Sequence, residues 1–195
     1  MKSDPEPLGA GFYPDGAESG FTLISRGDRV RGRLARPKGS APHPLILVAA
    51  PDGCAKHASV DALITAWSSW AAVAAIDLPL CGARRCDKLS LASFEKGDAI
   101  ATRIRRDVEI QVESDLERTF AFLGAERAAF FGSGLGADLA IPFCRNASGL
   151  LAIALAPTSP LDVPLGDGRR TCASQIFAPN SPPEEVAEFL KPLVL

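Results

Sequence analysis

The sequence predicts an α/β protein: a mostly parallel sheet with helices on both faces, opened by an N-terminal β-hairpin. Three observations lead there. The runs "PLILVAAP" (44–51), "WAAVAAIDLP" (70–79) and "GLLAIALAP" (149–157) are almost unbroken in their apolar character, as strands covered on both faces are. Segments with apolar residues at helical spacing separate them, which is the pattern of crossover connections. The composition, 47% hydrophobic and 23% charged over 195 residues, is that of a globular chain large enough for one well-buried domain.

The elements follow in order. Residues 1–20 are rich in Gly, Pro and acidic side chains and read as a loosely held leader, so the single domain is expected over 21–195. "FTLIS" and "RVRGRLA" flank the short turn "RGD" and predict a hairpin, with Val30, Gly32 and Leu34 alternating against Arg29, Arg31 and Arg33. "SVDALITAWSSW" places Val60, Leu63, Ile64 and Trp67 on one helical stripe. A long helix is expected over about 99–123, with Ile104, Val108, Val112, Leu116, Phe120 and Leu123 inward and "RIRRD" (103–107) on a solvated face. "AAFFG" (128–132) is a short strand, followed by a helix over "LGADLAIPFC" that Pro142 should kink or shorten. "CASQIFAP" (172–179) is a last strand, and "SPPEEVAEFLK" (181–191) a closing helix with Ser181 as its N-cap and Glu184 completing a capping box.

Composition also excludes classes of partner. A net charge of −2 and a pI near 5.7 give no attraction to nucleic acid or to an anionic membrane. No apolar run reaches transmembrane length, and the first residues lack the apolar core of a secretory signal. Five irregularly spaced cysteines suit reduced thiols in a cytoplasm better than a disulfide framework. His43 precedes a proline on the approach to a strand and reads as solvated, Cys144 and Cys172 read as core, and no cofactor is implied.

In a parallel sheet ligands collect at the carboxyl ends of the strands, here the loops after residues 50, 77, 132, 156 and 179. Those loops carry the chemistry of interest. The order hairpin, "LILVAAPDG", "AAIDLPLCGAR", long helix, "FFGSGLGADLA" resembles an α/β-hydrolase of the dienelactone-hydrolase and acyl-peptidase-like branch, over about residues 21–191. The resemblance implies an oxyanion loop at "APDGCAK", with Asp52 at the oxyanion-hole position, and a nucleophile elbow of the form G-x-S-x-G at "GSGLG". Gly132 and Gly136 match the small flanking positions of that elbow, and Gly134 stands where the nucleophilic serine belongs. Taking Ser133 as nucleophile instead would put Phe131 and Leu135 at the tight crossing. The stretch matching the family's acid is "NSPP", and the expected histidine lies past one further strand, beyond Leu195. The chain therefore reads as shortened and without a catalytic triad.

That reading predicts a non-catalytic α/β-hydrolase-like protein that binds a small molecule or assembles with another subunit. The binding residues would be Asp52, Gly53, Cys54, His57, Cys81, Ser133, Gly134 and Leu135. The "CASQIFAP" strand would lie at or near a sheet edge and suggests a homodimer or partner chain there. Two other readings stay open: a weak carboxylic ester hydrolase using Ser133 or a cysteine, and a metal or thiol-redox site built from Cys54, His57, Cys81 and Cys86. Asp162 and Asp167, in a Pro/Gly loop, are expected to form turns.

Overall fold

In the computed structural model the residues described are 11–12, 18–39, 42–86, 99–159 and 172–195. Eight strands form one sheet: β1 (Gly11–Phe12), β2 (Glu18–Ser25), β3 (Asp28–Ala35), β4 (Leu45–Ala49), β5 (Ala72–Ile76), β6 (Ala128–Ser133), β7 (Leu150–Ala156) and β8 (Ala173–Ile176). Their spatial order is β1-β2-β3-β5-β4-β6-β7-β8. The first three strands and β5 pair antiparallel, and β5, β4, β6, β7 and β8 pair parallel. The helices are α1 (Ala58–Trp67), α2 (Ala99–Leu123), α3 (Gly134–Leu139), α4 (Ile141–Asn146) and α5 (Pro183–Val194).

Period-two alternation sorts the strand side chains into two cores. Leu45, Leu47, Ala74, Ile76, Phe130, Ile153 and Leu155 face the first core, with Val108, Val112 and Leu116 of α2 and Phe143 of α4 packed on them. Ile46, Val48, Val73, Phe131 and Ala154 face the second, closed by Val60, Leu63 and Trp67 of α1 and by Val186, Leu190 and Val194 of α5. Trp67 is wholly buried, meets Phe131 edge-on at 5.5 Å and donates its indole N–H to the Pro183 carbonyl at 3.0 Å. This one side chain therefore ties α1, the sheet and α5 together.

The hairpin loop is only Arg26 and Gly27, because Ser25 pairs with Asp28. Both loop residues have positive φ, 49° and 82°, as a type I′ turn demands. The turn also delivers Asp28 to a buried ionic cluster. Arg84, whose side chain is 6% exposed, reaches Asp28 at 2.6 Å and the fully buried Asp115 of α2 at 2.5 Å. Gln111 donates to the other Asp115 oxygen at 2.7 Å, so both carboxylate oxygens are satisfied.

Several expectations are adjusted. β2 begins at Glu18, ahead of the apolar run that marks it in the sequence. The post-elbow helix is split into α3 and α4 at Ala140, with Pro142 in the first turn of the second piece, where its missing N–H costs nothing. The closing helix starts one residue later than a Ser181 N-cap requires: Pro182 is the cap and makes no side-chain bond, while the Ser181 N–H closes a turn onto the Ala178 carbonyl. Two prolines in succession hold the chain extended up to that point, so the capping box with Glu184 does not form. His43 is half-buried rather than solvated, and its Nε2 is enclosed with no hydrogen-bond partner among the described residues. Cys144 is fully buried, and the half-buried Cys172 packs against the first core. The leader expected at 1–20 falls mostly outside the described residues, as do Asp162 and Asp167 entirely.

The ionic cluster yields a contrast in stability. Asp115→Ala strands a buried guanidinium and should cost about 3 kcal/mol. Asp28→Ala removes the exposed partner of the same Arg84 and should cost about 0.5 kcal/mol. Urea denaturation of the two variants measures both.

Candidate functional site

The chain leaves β4 in one direction through α1 to β5, and β6 lies on the other side of β4. The crevice between the carboxyl ends of β4 and β6 is therefore the place where this topology collects ligands. Two backbone segments meet there: the loop Ala50–Ala55 after β4 and the bend from β6 into α3.

The bend is built on glycine. Gly134 has φ +51°, a left-handed conformation that suits a residue without Cβ. A Cβ on Gly136 would lie 2.4 Å from the Ala49 carbonyl oxygen, and one on Gly132 would lie 2.9 Å from the Ala137 Cα. Those two glycines are thus the close-crossing positions, and Gly134 stands midway between them at the apex. Ser133 is the last residue of β6, with extended torsions of −131° and 151°, and is 6% exposed. Its side chain makes no capping bond to α3.

The β4 loop closes down on this apex. The Leu135 N–H, the first backbone donor past the bend, is 2.9 Å from the Pro51 carbonyl oxygen. A Cβ placed on Gly134 would sit 3.0 Å from Pro51 Cα, Cβ and O alike. Pro51 has no N–H of its own to offer. The Asp52 side chain turns back into its own loop and accepts the Cys54 N–H at 2.9 Å.

Asp77, at the carboxyl end of β5 and 6% exposed, holds this loop in place. One carboxylate oxygen accepts the Ala55 N–H at 2.9 Å and the other the Ala83 N–H at 3.0 Å. Gly82 must lack a side chain here, because a Cβ would fall 2.3 Å from the Asp77 carboxylate. Arg84 adds a bond from Nη1 to the Asp77 carbonyl at 3.1 Å. Gly53 is packed tightly as well, since a Cβ there would meet Cys81 Sγ at 2.6 Å.

The remaining candidate groups are engaged in the same local structure. His57 is the N-cap of α1, and its Nδ1 accepts the Ser59 N–H at 3.1 Å and faces the Ser59 hydroxyl at 2.7 Å. An Nδ1 that accepts from an amide leaves the proton of the neutral ring on Nε2. Cys54 donates its thiol hydrogen to the Asp52 carbonyl at 3.6 Å and accepts the Gly82 N–H at 3.0 Å. Burial, then the nearby Asp52 carboxylate, push the Cys54 thiol above its ordinary range. Burial pushes the Cys81 thiol up to about 12, with Cys54, Asp52 and Asp77 adding to it. Both thiols are therefore protonated and poor nucleophiles at neutral pH. Among the described residues no group of three or more His, Cys, Asp or Glu side chains is placed to hold a metal ion, so Cys54, His57, Cys81 and Cys86 do not form a ligand set.

Two features of the site escape the sequence reading. Pro51 packs against the bend and accepts the Leu135 N–H from an element more than 80 residues away, and the only signal in the sequence is a proline where an N–H donor is wanted. Asp138 of α3 accepts the Thr158 N–H at 3.2 Å and also the Thr158 hydroxyl, which ties the helix after the bend to the loop after β7.

The raised thiols carry a pH signature. A thiol that titrates near 9 when unfolded and near 12 when folded favours the folded state below pH 9, and that contribution is lost as pH rises from 9 to 12. Cys81→Ala should flatten the fall of stability across this window relative to the parent chain, measured by chemical denaturation at stepped pH.

No protein-family model matches this chain, and no curated protein sequence matches it. Solved structures do. A cold-adapted esterase from an Arctic intertidal metagenomic library superposes with a TM-score of 0.55 at 18% identity, over 75% of this chain and 63% of that one. Epoxide hydrolase VrEH1 from Vigna radiata gives 0.53 at 16% identity, over 74% and 39%. An acetyl xylan esterase from Paenibacillus sp. R4 gives 0.52 at 20% identity, over 74% and 51%. This chain thus spans less than two thirds of the length of each. At such identities the likeness concerns the fold, and the fold is that of the α/β-hydrolases: a mostly parallel sheet with helices on both faces and a sharp strand-to-helix bend after β6.

Proposed function

We propose that this chain is a non-catalytic α/β-hydrolase-fold protein, nearest in motif order to the dienelactone-hydrolase-like branch, that acts through subunit assembly. The observation that carries the proposal is the bond from the Leu135 N–H to the Pro51 carbonyl. In an elbow hydrolase the backbone donor just past the nucleophile stabilises the developing oxyanion, a contribution of about 3 kcal/mol per donor. Here that donor is already paired with a neutral carbonyl, and the same Pro51 occupies the space beside the apex. The apex residue is Gly134, which has no atom that could attack. His57, with its proton on Nε2 and Nδ1 accepting from a backbone amide, is in the wrong tautomer to take a proton at Nε2.

The assembly arm rests on β8. Among the described residues it is the outermost strand on the parallel side of the sheet, and Ser174, Gln175 and Ile176 are exposed, Ile176 by 51%. Residues 173–176 include no charge and no proline, the two usual guards of a free edge. A second copy could pair antiparallel with this edge across a two-fold axis without like-charge repulsion.

Two experiments test these arms separately. A fluorophosphonate probe should leave the protein unlabelled, and Gly134→Ser should show no ester hydrolysis above background while losing about 1–2 kcal/mol from a left-handed Cβ. Stoichiometric label on Ser133 that vanishes in Ser133→Ala would instead establish the ester-hydrolase reading. Light scattering at tens of micromolar should report a dimer, and Ser174→Pro, which removes an N–H on the side away from β7, should shift it to monomer. A parent chain that is monomeric throughout that range rules out the edge pairing.

A further inference from the structure

A second concave surface lies away from the bend, between the β2–β3 turn and the outer face of α2. It is an open cleft of about 470 Å³, within the size range of small-molecule sites. One wall is the run Ile24, Ser25 and Arg26. The other is a single helical stripe, Ser114, Glu117, Arg118 and Ala121, at the spacing that brings side chains onto one face. The Gln111 side chain bonds the Ser25 carbonyl at 3.5 Å and joins the two walls.

Two features of this cleft are unexplained by folding. Neither Arg26 nor Arg118 makes an ion pair with a described residue, although both line the same cavity. Arg26 also occupies the first loop position of the type I′ turn with φ +49°, where Asn, Asp or Gly is strongly favoured. A bulky cation at a left-handed position costs stability, and such an outlier points to a use for the side chain. Beside the arginines lie apolar surfaces: Ile24 is 57% exposed, and Phe122, next to Ala121, is 55% exposed.

We propose that this cleft binds a small amphiphilic monocarboxylate, its carboxylate held between the Arg26 and Arg118 guanidiniums and its apolar end resting on Ile24 and Ala121. Guanidinium forks match a carboxylate in a paired, planar geometry. Glu117 in the same wall lowers the net charge of the cleft to one positive unit, which suits a monoanion over a dianion. The Ser25 and Ser114 hydroxyls supply further donors.

The test uses the full chain with octanoate as probe, followed by calorimetry and by amide shifts of isotopically labelled protein. Saturable binding at millimolar concentration or below is expected, with shifts centred on residues 24–28 and 114–121. Arg26→Asn is the decisive variant, because Asn-Gly is a preferred type I′ pair. It should raise the melting temperature while weakening octanoate about tenfold, as should Arg118→Gln without the gain in stability. Absence of saturable binding overturns the proposal, and so does an affinity in both arginine variants unchanged from that of the parent chain. Octan-1-ol binding as tightly at the same residues would show that the charge is not recognised, and inorganic phosphate binding more tightly than octanoate would show that the ligand class is wrong.

Discussion

The geometry of the whole carboxyl edge depends on one carboxylate, that of Asp77. It leaves the end of β5 almost sealed from water and accepts backbone N–H groups from two separate loops, at Ala55 and at Ala83. A buried carboxylate without such donors would be strongly disfavoured, so the loops and the carboxylate specify one another. Arg84, locked between Asp28, Asp115 and the Asp77 carbonyl, extends the same network into the hairpin and into α2. The β4 loop is thereby fixed over the bend, and Pro51 with it.

From this follows the character of the crevice. An α/β sheet of this topology creates a ligand-collecting cleft between β4 and β6 whatever the side chains are. The side chains decide whether the cleft stays open. Here glycines at 132, 134 and 136 let strand, helix and loop approach until backbone meets backbone, and the Pro51 carbonyl takes the donor that the bend would otherwise present. Close packing of this kind resists adjustment, since any Cβ added at 136 must displace the Ala49 and Ala50 carbonyls. Away from the crevice, the described residues also present the uncharged edge of β8 and the arginine-lined cleft beside the hairpin.

The architecture was largely legible because its signals are local. Alternation in "RVRGRLA", the apolar run Leu45–Ala49 and the stripe from Ile104 to Leu123 each reflect the period of their own element, and burial follows that period. The same stripe hides two exceptions, Asp115 and Thr119, which are fully buried beside it. Asp115 is tolerated there because Arg84, 31 residues earlier, neutralises it, and no periodicity encodes such a partner. The N-cap at 182 rather than 181 is a comparable case: two prolines outweigh a good capping serine, because their backbone restriction acts before any side-chain bond can form.

By itself the sequence determined the α/β class, the order of strands and helices, and the identity of the residue at the apex of the bend, because these depend on composition, period and spacing along the chain. Only the tertiary structure decided what surrounds that apex. Whether a backbone N–H faces an empty crevice or a carbonyl, which nitrogen of His57 carries its proton, and how far Cys81 is removed from water depend on segments distant in sequence being brought into contact. Hydrogen bonding and desolvation act over a few ångströms of space, and linear spacing does not encode those distances.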